Sequence, residues 1–190
     1  MKVQRVADSL FTLGQGNKKE FTFTFIRPTS TDTSAGDPHP GQADNSEPTM
    51  MARMFGYWHM HYKANAVDFN QSFDGPDIFK MYRDLVKGFN VELQMLTTTD
   101  YVYAAVITEK TKFMNHIKSI CPNGNYFNAI KADLHNIWVN AINACTTCGG
   151  IYEKESEAGV MALTAQNNAA TSGIKIFKSP RNSINFTPLQ

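Results

Sequence analysis

The sequence predicts an α+β fold, an α/β sandwich with a central, mostly antiparallel sheet flanked by helices and a helical C-terminal extension. Three observations predict it. Phe21, Phe23 and Phe25 alternate with threonines in Phe21-Thr22-Phe23-Thr24-Phe25-Ile26, the two-residue period of a strand with unlike faces. Ile78, Met81, Tyr82, Leu85 and Val86 then recur at three- and four-residue spacing, the period of an amphipathic helix. Two further apolar runs, Val91–Leu96 and Tyr101–Ile107, flank the polar Thr97-Thr98-Thr99-Asp100, as in an antiparallel hairpin. Strands with an intercalated helix, followed by helices, make this class of fold.

Taken in order, residues 1–19 carry only a weak apolar pattern (Val3, Val6, Leu10, Phe11, Leu13) and end in the turn-forming Gly14-Gln15-Gly16-Asn17. Pro28 closes the Phe/Thr strand. Residues 28–49 are rich in Pro, Gly, Ser, Thr, Asp and Asn with little to bury, a long loop of the kind that serves as a substrate lid. Met50–Trp58 is apolar enough for a buried strand that delivers His59 and His61 at its end. After a loop over 62–73, a helix starts at Asp77, its N-cap candidate behind Gly75-Pro76, and stops at Gly88. Later helices are expected over Lys112–Ile120, Tyr126–Cys145 and about Glu153–Gln166, with Gly159 a weak point, and a last strand over Ile174–Lys178. The expected division is a core over 1–110 and a helical extension over 111–190, packed as one unit.

Composition bounds the function. The chain has 190 residues, 42% hydrophobic and 18% charged, enough for one domain with a real core. A net charge of +1 supplies no field to draw in nucleic acid or an anionic membrane. No apolar run reaches the roughly 20 residues that span a bilayer, and no signal-peptide core opens the chain, so a cytoplasmic protein is expected. Three cysteines, an odd number, argue against a closed disulfide framework. Cys145-Thr146-Thr147-Cys148 reads as half a zinc site, completed by Cys121 with His116 or His135, as a redox pair, or as small buried residues at a helix end. The last is favoured, with a disulfide on oxidation as a side possibility.

The chemistry-bearing stretch is Phe55-Gly56-Tyr57-Trp58-His59-Met60-His61 with Phe73-Asp74-Gly75-Pro76-Asp77-Ile78 downstream. Histidines one residue apart on a strand point to the same face and suit two nitrogen ligands of one zinc ion. Asp77 is a third-ligand candidate, its charged form favoured by a helix N-terminus. A fourth, open position would hold water, which needs a base. Glu20, heading the Phe/Thr strand, is the base candidate, with Glu47 in the loop as the alternative.

This order of residues resembles the JAMM (MPN+) zinc metalloproteases, including bacterial JAB-type domains, whose pattern is a glutamate, His-x-His-Pro and Ser-x-x-Asp. The resemblance covers roughly residues 15–110. It implies a β-sheet flanked by helices and hydrolysis of peptide or isopeptide bonds in a protein or peptide substrate. It implies zinc on His59, His61 and Asp77, with Glu20 taking the proton from the attacking water. Two positions depart from the pattern: Tyr62 stands for the proline and Asp74 for the serine that helps stabilise an oxyanion. Ser72, two residues earlier, is the substitute candidate. The alternative, in another class, is a non-catalytic JAB-like or unrelated structural module.

Overall fold

The fold is taken from a computed structural model, which describes residues 2–27, 34–35, 38–41, 47–48, 53–61, 71–124, 126–183 and 185–190. Tyr62, and most of the 28–49 loop expected as a lid, lie outside them. The chain is α+β, as expected, with the element order α1 (Lys2–Asn17), β1 (Phe21–Ile26), β2 (Ser34–Ala35), β3 (His39–Pro40), β4 (Met54–Met60), α2 (Gly75–Val86), β5 (Leu93–Thr97), β6 (Tyr101–Ile107), α3 (Lys110–Ile120), α4 (Phe127–Ala144), α5 (Tyr152–Leu163), α6 (Ala169–Ser172), β7 (Ile174–Pro180) and β8 (Thr187–Pro188).

The strands form one sheet in the order β2-β1-β4-β5-β6-β7-β8, with β3 also on β1. β1 is antiparallel to β2, β3 and β4, whereas β4 and β5 run parallel. Parallel neighbours need a crossover, and α2 lies on it. β5 and β6 are joined by residues 98–100 alone, the expected hairpin, closed by the Thr98 N–H donating to the Tyr101 carbonyl at 2.9 Å.

By contacts the chain divides into two compact units, one of residues 1–68, 89–105 and 177–187, the other of 69–88, 106–176 and 188–190. In the first, α1 covers one sheet face: Ala7 and Leu10 join Phe21, Trp58, Met60 and Met95 in a buried cluster. Helix α1 is a correction to the expected turn at Gly14–Asn17. Gly14 sits inside it because a Cβ there would overlap the Met60 sulfur, so the glycine marks close approach rather than a chain reversal.

The other sheet face holds a second correction. Alternation in β1 predicts phenylalanines inside and threonines outside, yet Thr22 and Thr24 are each 1% exposed while Phe23 and Phe25 are only half-buried. Both faces of this strand are covered, which a period of two cannot reveal. Register pairs Thr22 with His59 and Thr24 with Tyr57. The threonine face is therefore the histidine face.

In the second unit, α4 packs on α2 and α5, with Ile130, Leu134 and Trp138, four residues apart, buried as one apolar stripe. The helix expected over Glu153–Gln166 ends earlier, at Leu163. Asn167, with φ +57°, then acts as a strand partner: its Oδ1 accepts from the Ile176 N–H at 2.6 Å, and its Nδ2 donates to the Ile176 and Leu189 carbonyls at 2.9 and 2.7 Å. Cys145 and Cys148 are joined in a disulfide across Cα atoms 5.5 Å apart, within the range a bridge needs. The favoured expectation of two unjoined cysteines is thus corrected: the turn after α4 brings them together. Cys121 is free and buried.

Candidate metal centre

His59 lies on β4 and His61 immediately follows it, with Met60 between them turned to the α1 side of the sheet. Two-residue spacing on the pleat sends both imidazoles to the threonine face, where His59 is 1% and His61 7% exposed. Their Nε2 atoms face each other at 3.2 Å, with ring planes at 59°. Two nitrogens each about 2.0–2.1 Å from a tetrahedral zinc stand roughly 3.3–3.4 Å apart. The pair is spaced as ligands of one ion. Two imidazole lone pairs at such a distance repel unless a proton or a cation lies between them.

Asp77 is held by the start of α2. The N-cap is Asp74, which corrects the assignment of Asp77 to that position: Gly75 and Pro76 open the helix, and Asp77 is its third residue. The two carboxylates form a reciprocal capping box. Asp74 Oδ1 accepts from the Asp77 N–H at 2.8 Å, and Asp77 Oδ2 accepts from the Asp74 N–H at 3.3 Å. Asp74 thereby spends its charge on a helix N-terminus. Asp77 is 4% exposed and orientated by the same bonds. We expect Asp74→Ala to lower stability by about 1 kcal/mol, read as a lower denaturant midpoint, and Asp74→Ser to restore most of it. Equal midpoints for Asp74→Ala and the parent would remove the cap.

His59, His61 and Asp77 each offer one ligand atom, and these atoms lie within 4.8 Å of one another. Among the described residues no other three His, Cys, Asp or Glu side chains meet in this way. Two imidazoles and a carboxylate, all buried, are donor types that bind divalent metal ions. The group could hold a metal ion.

Of the base candidates, Glu20 is 5% exposed and immediately precedes β1, whereas Glu47 is exposed. Continuing the register from Thr22 opposite His59 sets Glu20 across from His61, on the histidine face. The Glu20 carbonyl accepts from the Gly41 N–H at 2.8 Å, so β3 pins the residue's backbone. Ser72 is fully buried, its hydroxyl donating to the Phe73 carbonyl at 3.3 Å. It would have to leave that bond to serve a substrate.

The other metal candidates do not assemble. The Cys145 and Cys148 sulfurs are bonded to each other, and His116 Nε2 lies 2.9 Å from the Leu163 carbonyl. His135 is an exposed residue stacked beside Trp138. Burial, then the Asp133 charge, push the Cys121 thiol up to about 11, so it is protonated at neutral pH.

One residue of the site escaped sequence reasoning. Gln94, fully buried on β5, brings its side-chain amide 3.5 Å from His59 Nδ1. The only signal is a polar residue inside an apolar run, which alternation alone explains equally well. Among the described residues no helix is long and apolar enough to cross a membrane. Compared with protein-family models, with curated proteins and with solved structures, the chain gave no match.

Proposed function

We propose that the chain is a JAMM-like zinc hydrolase of peptide or isopeptide bonds. The observation that carries this reading is the buried group of His59, His61 and Asp77, with the two imidazole Nε2 atoms 3.2 Å apart. When bound, zinc supplies Lewis acidity, polarising a scissile carbonyl and bringing the pKa of a bound water to about 7. His59, His61 and Asp77 would hold it. Glu20 takes the proton of the attacking water and returns it to the leaving amine. Ser72, once its hydroxyl turns from Phe73, donates to the developing oxyanion. Asp74 stands where the family pattern has that serine, and its capping role supports reading it as a structural carboxylate rather than a charge opposing the chemistry.

The test is metal content followed by turnover. Protein purified without added zinc should carry about one zinc per chain, and it should cleave a linear peptide or an isopeptide-linked protein conjugate. Glu20→Gln should keep the zinc and lose about 10²- to 10⁴-fold in rate, the usual worth of a positioned acid–base group. Folded parent protein without stoichiometric metal overturns the proposal. Metal without turnover assigns the chain instead to non-catalytic metal-binding modules.

A further inference from the structure

Gln94 sits on β5 in register with Tyr57, and His59 in register with Leu96, so Gln94 is the diagonal neighbour of His59 across a parallel pair. Directly paired residues share a face, which puts Gln94 on the histidine face. It is fully buried, and Leu96, the next residue of β5 on that face, is apolar. A buried amide costs free energy unless it is hydrogen-bonded, so its presence needs a partner. That partner includes the far side of the His59 ring: the Gln94 amide, placed with its nitrogen toward the ring, comes to 3.5 Å from Nδ1 while the ring Nε2 faces His61.

The amide oxygen and nitrogen of glutamine are distinguished by their bonding rather than by position. With nitrogen toward Nδ1, Nδ1 must accept, the ring proton moves to Nε2 and ligand capacity is lost. With oxygen toward Nδ1, Nδ1–H donates and the Nε2 lone pair points at His61. Only the second state is compatible with the donor set described above.

We propose that Gln94 is a positioning residue that holds His59 as the Nδ1–H tautomer, with its Nε2 lone pair committed to the metal. The proposal rests on the metal reading of His59, His61 and Asp77. Partners of this kind on a ligating histidine set both ring orientation and basicity, and their loss typically weakens metal binding about 10- to 100-fold.

Two measurements test it, neither of them activity. The first is the zinc dissociation constant, by competition with a chromophoric chelator, for the parent, Gln94→Met and Gln94→Glu. Gln94→Met keeps length and volume but no acceptor, and should bind zinc about 10- to 100-fold more weakly. Gln94→Glu offers a carboxylate to the same N–H and should bind within a few-fold of the parent or more tightly. The second is the ring ¹⁵N spectrum of His59 in metal-free protein with neutral imidazoles. The parent should show the Nδ1–H tautomer, and Gln94→Met should lose that preference. An unchanged zinc affinity in Gln94→Met, or an Nε2–H tautomer in the parent, overturns the role of Gln94. If the parent binds no zinc, the metal reading fails by itself, and the ¹⁵N spectrum still decides whether Gln94 selects the tautomer.

Discussion

Replacing His59 and His61 together by alanine should leave a folded protein that carries no stoichiometric zinc and has no hydrolytic activity. Two of the three protein donors are removed, and a single remaining carboxylate is a poor zinc site. The change empties buried space, since the two rings are 1% and 7% exposed, so a stability loss of a few kcal/mol is expected in its own right. Zinc content must therefore be read beside far-UV circular dichroism. A second readout separates folding from binding. Metal that binds only the native state stabilises it by about 2.7 kcal/mol at 100 times its dissociation constant. Added zinc should raise the melting temperature of the parent and leave that of the double variant unmoved. His39→Ala, an exposed histidine on β3, should behave as the parent. Full zinc occupancy in the double variant would remove these histidines from the site. Retention lost only in a Cys145→Ser/Cys148→Ser variant under reducing conditions would move the metal to that pair.

Gly75→Ala should destabilise the protein, against the usual sign for glycine in a helix. Alanine is the better helix former by up to about 1 kcal/mol. Here a Cβ would stand 2.6 Å from the His135 backbone nitrogen, 2.7 Å from its Cα and 2.7 Å from the Leu134 carbonyl carbon. All three belong to the backbone of α4, which cannot turn aside as a side chain can. Either α2 moves off α4 or the contact is strained. Overpacking of this kind costs about 1–3 kcal/mol, and for a chain of this length each kcal/mol lowers the melting temperature by about 2–4 °C. Zinc affinity should fall with stability, because Asp77 lies in the same first turn of α2. Gly16→Ala provides the contrast: nothing lies within 4 Å of its Cβ, and it should be neutral or stabilising. A Gly75→Ala protein as stable as the parent would show that α2 and α4 are not closely packed at this point.

The parts of the site that could be read in advance are those whose geometry is local. His59 and His61 share a face because a strand has a period of two, and that holds in any fold in which the stretch is extended. Asp77 belongs to a first helical turn because Gly-Pro precedes it and an apolar stripe follows. The cap lies three residues before the Asp77 that composition suggests: Asp74 and Asp77 satisfy the same composition rule, and only the backbone, with Asp74 extended at φ −108°, tells Ncap from N3. Helix α1 is not legible locally, because Gly14 carries the same letter whether it turns a chain or lets one element touch another. Its cause is Met60, 46 positions away in the sequence. Gln94 is silent in the sequence for a similar reason: its significance lies in a parallel pairing with β4 that no local pattern encodes.

By itself the amino-acid sequence determined the periods: the Phe/Thr alternation of β1, the apolar stripes of α2 and α4, the hairpin of β5 and β6, and the common face of two histidines. These follow from bond geometry and side-chain type within a few residues. Tertiary structure alone decided that both faces of β1 are covered, which acid caps α2, that Cys145 and Cys148 are bonded, and that two imidazoles and a carboxylate meet in a buried place. Those outcomes depend on partners tens of residues distant. Burial and pairing are properties of what lies opposite a side chain, and a period states only which way it points.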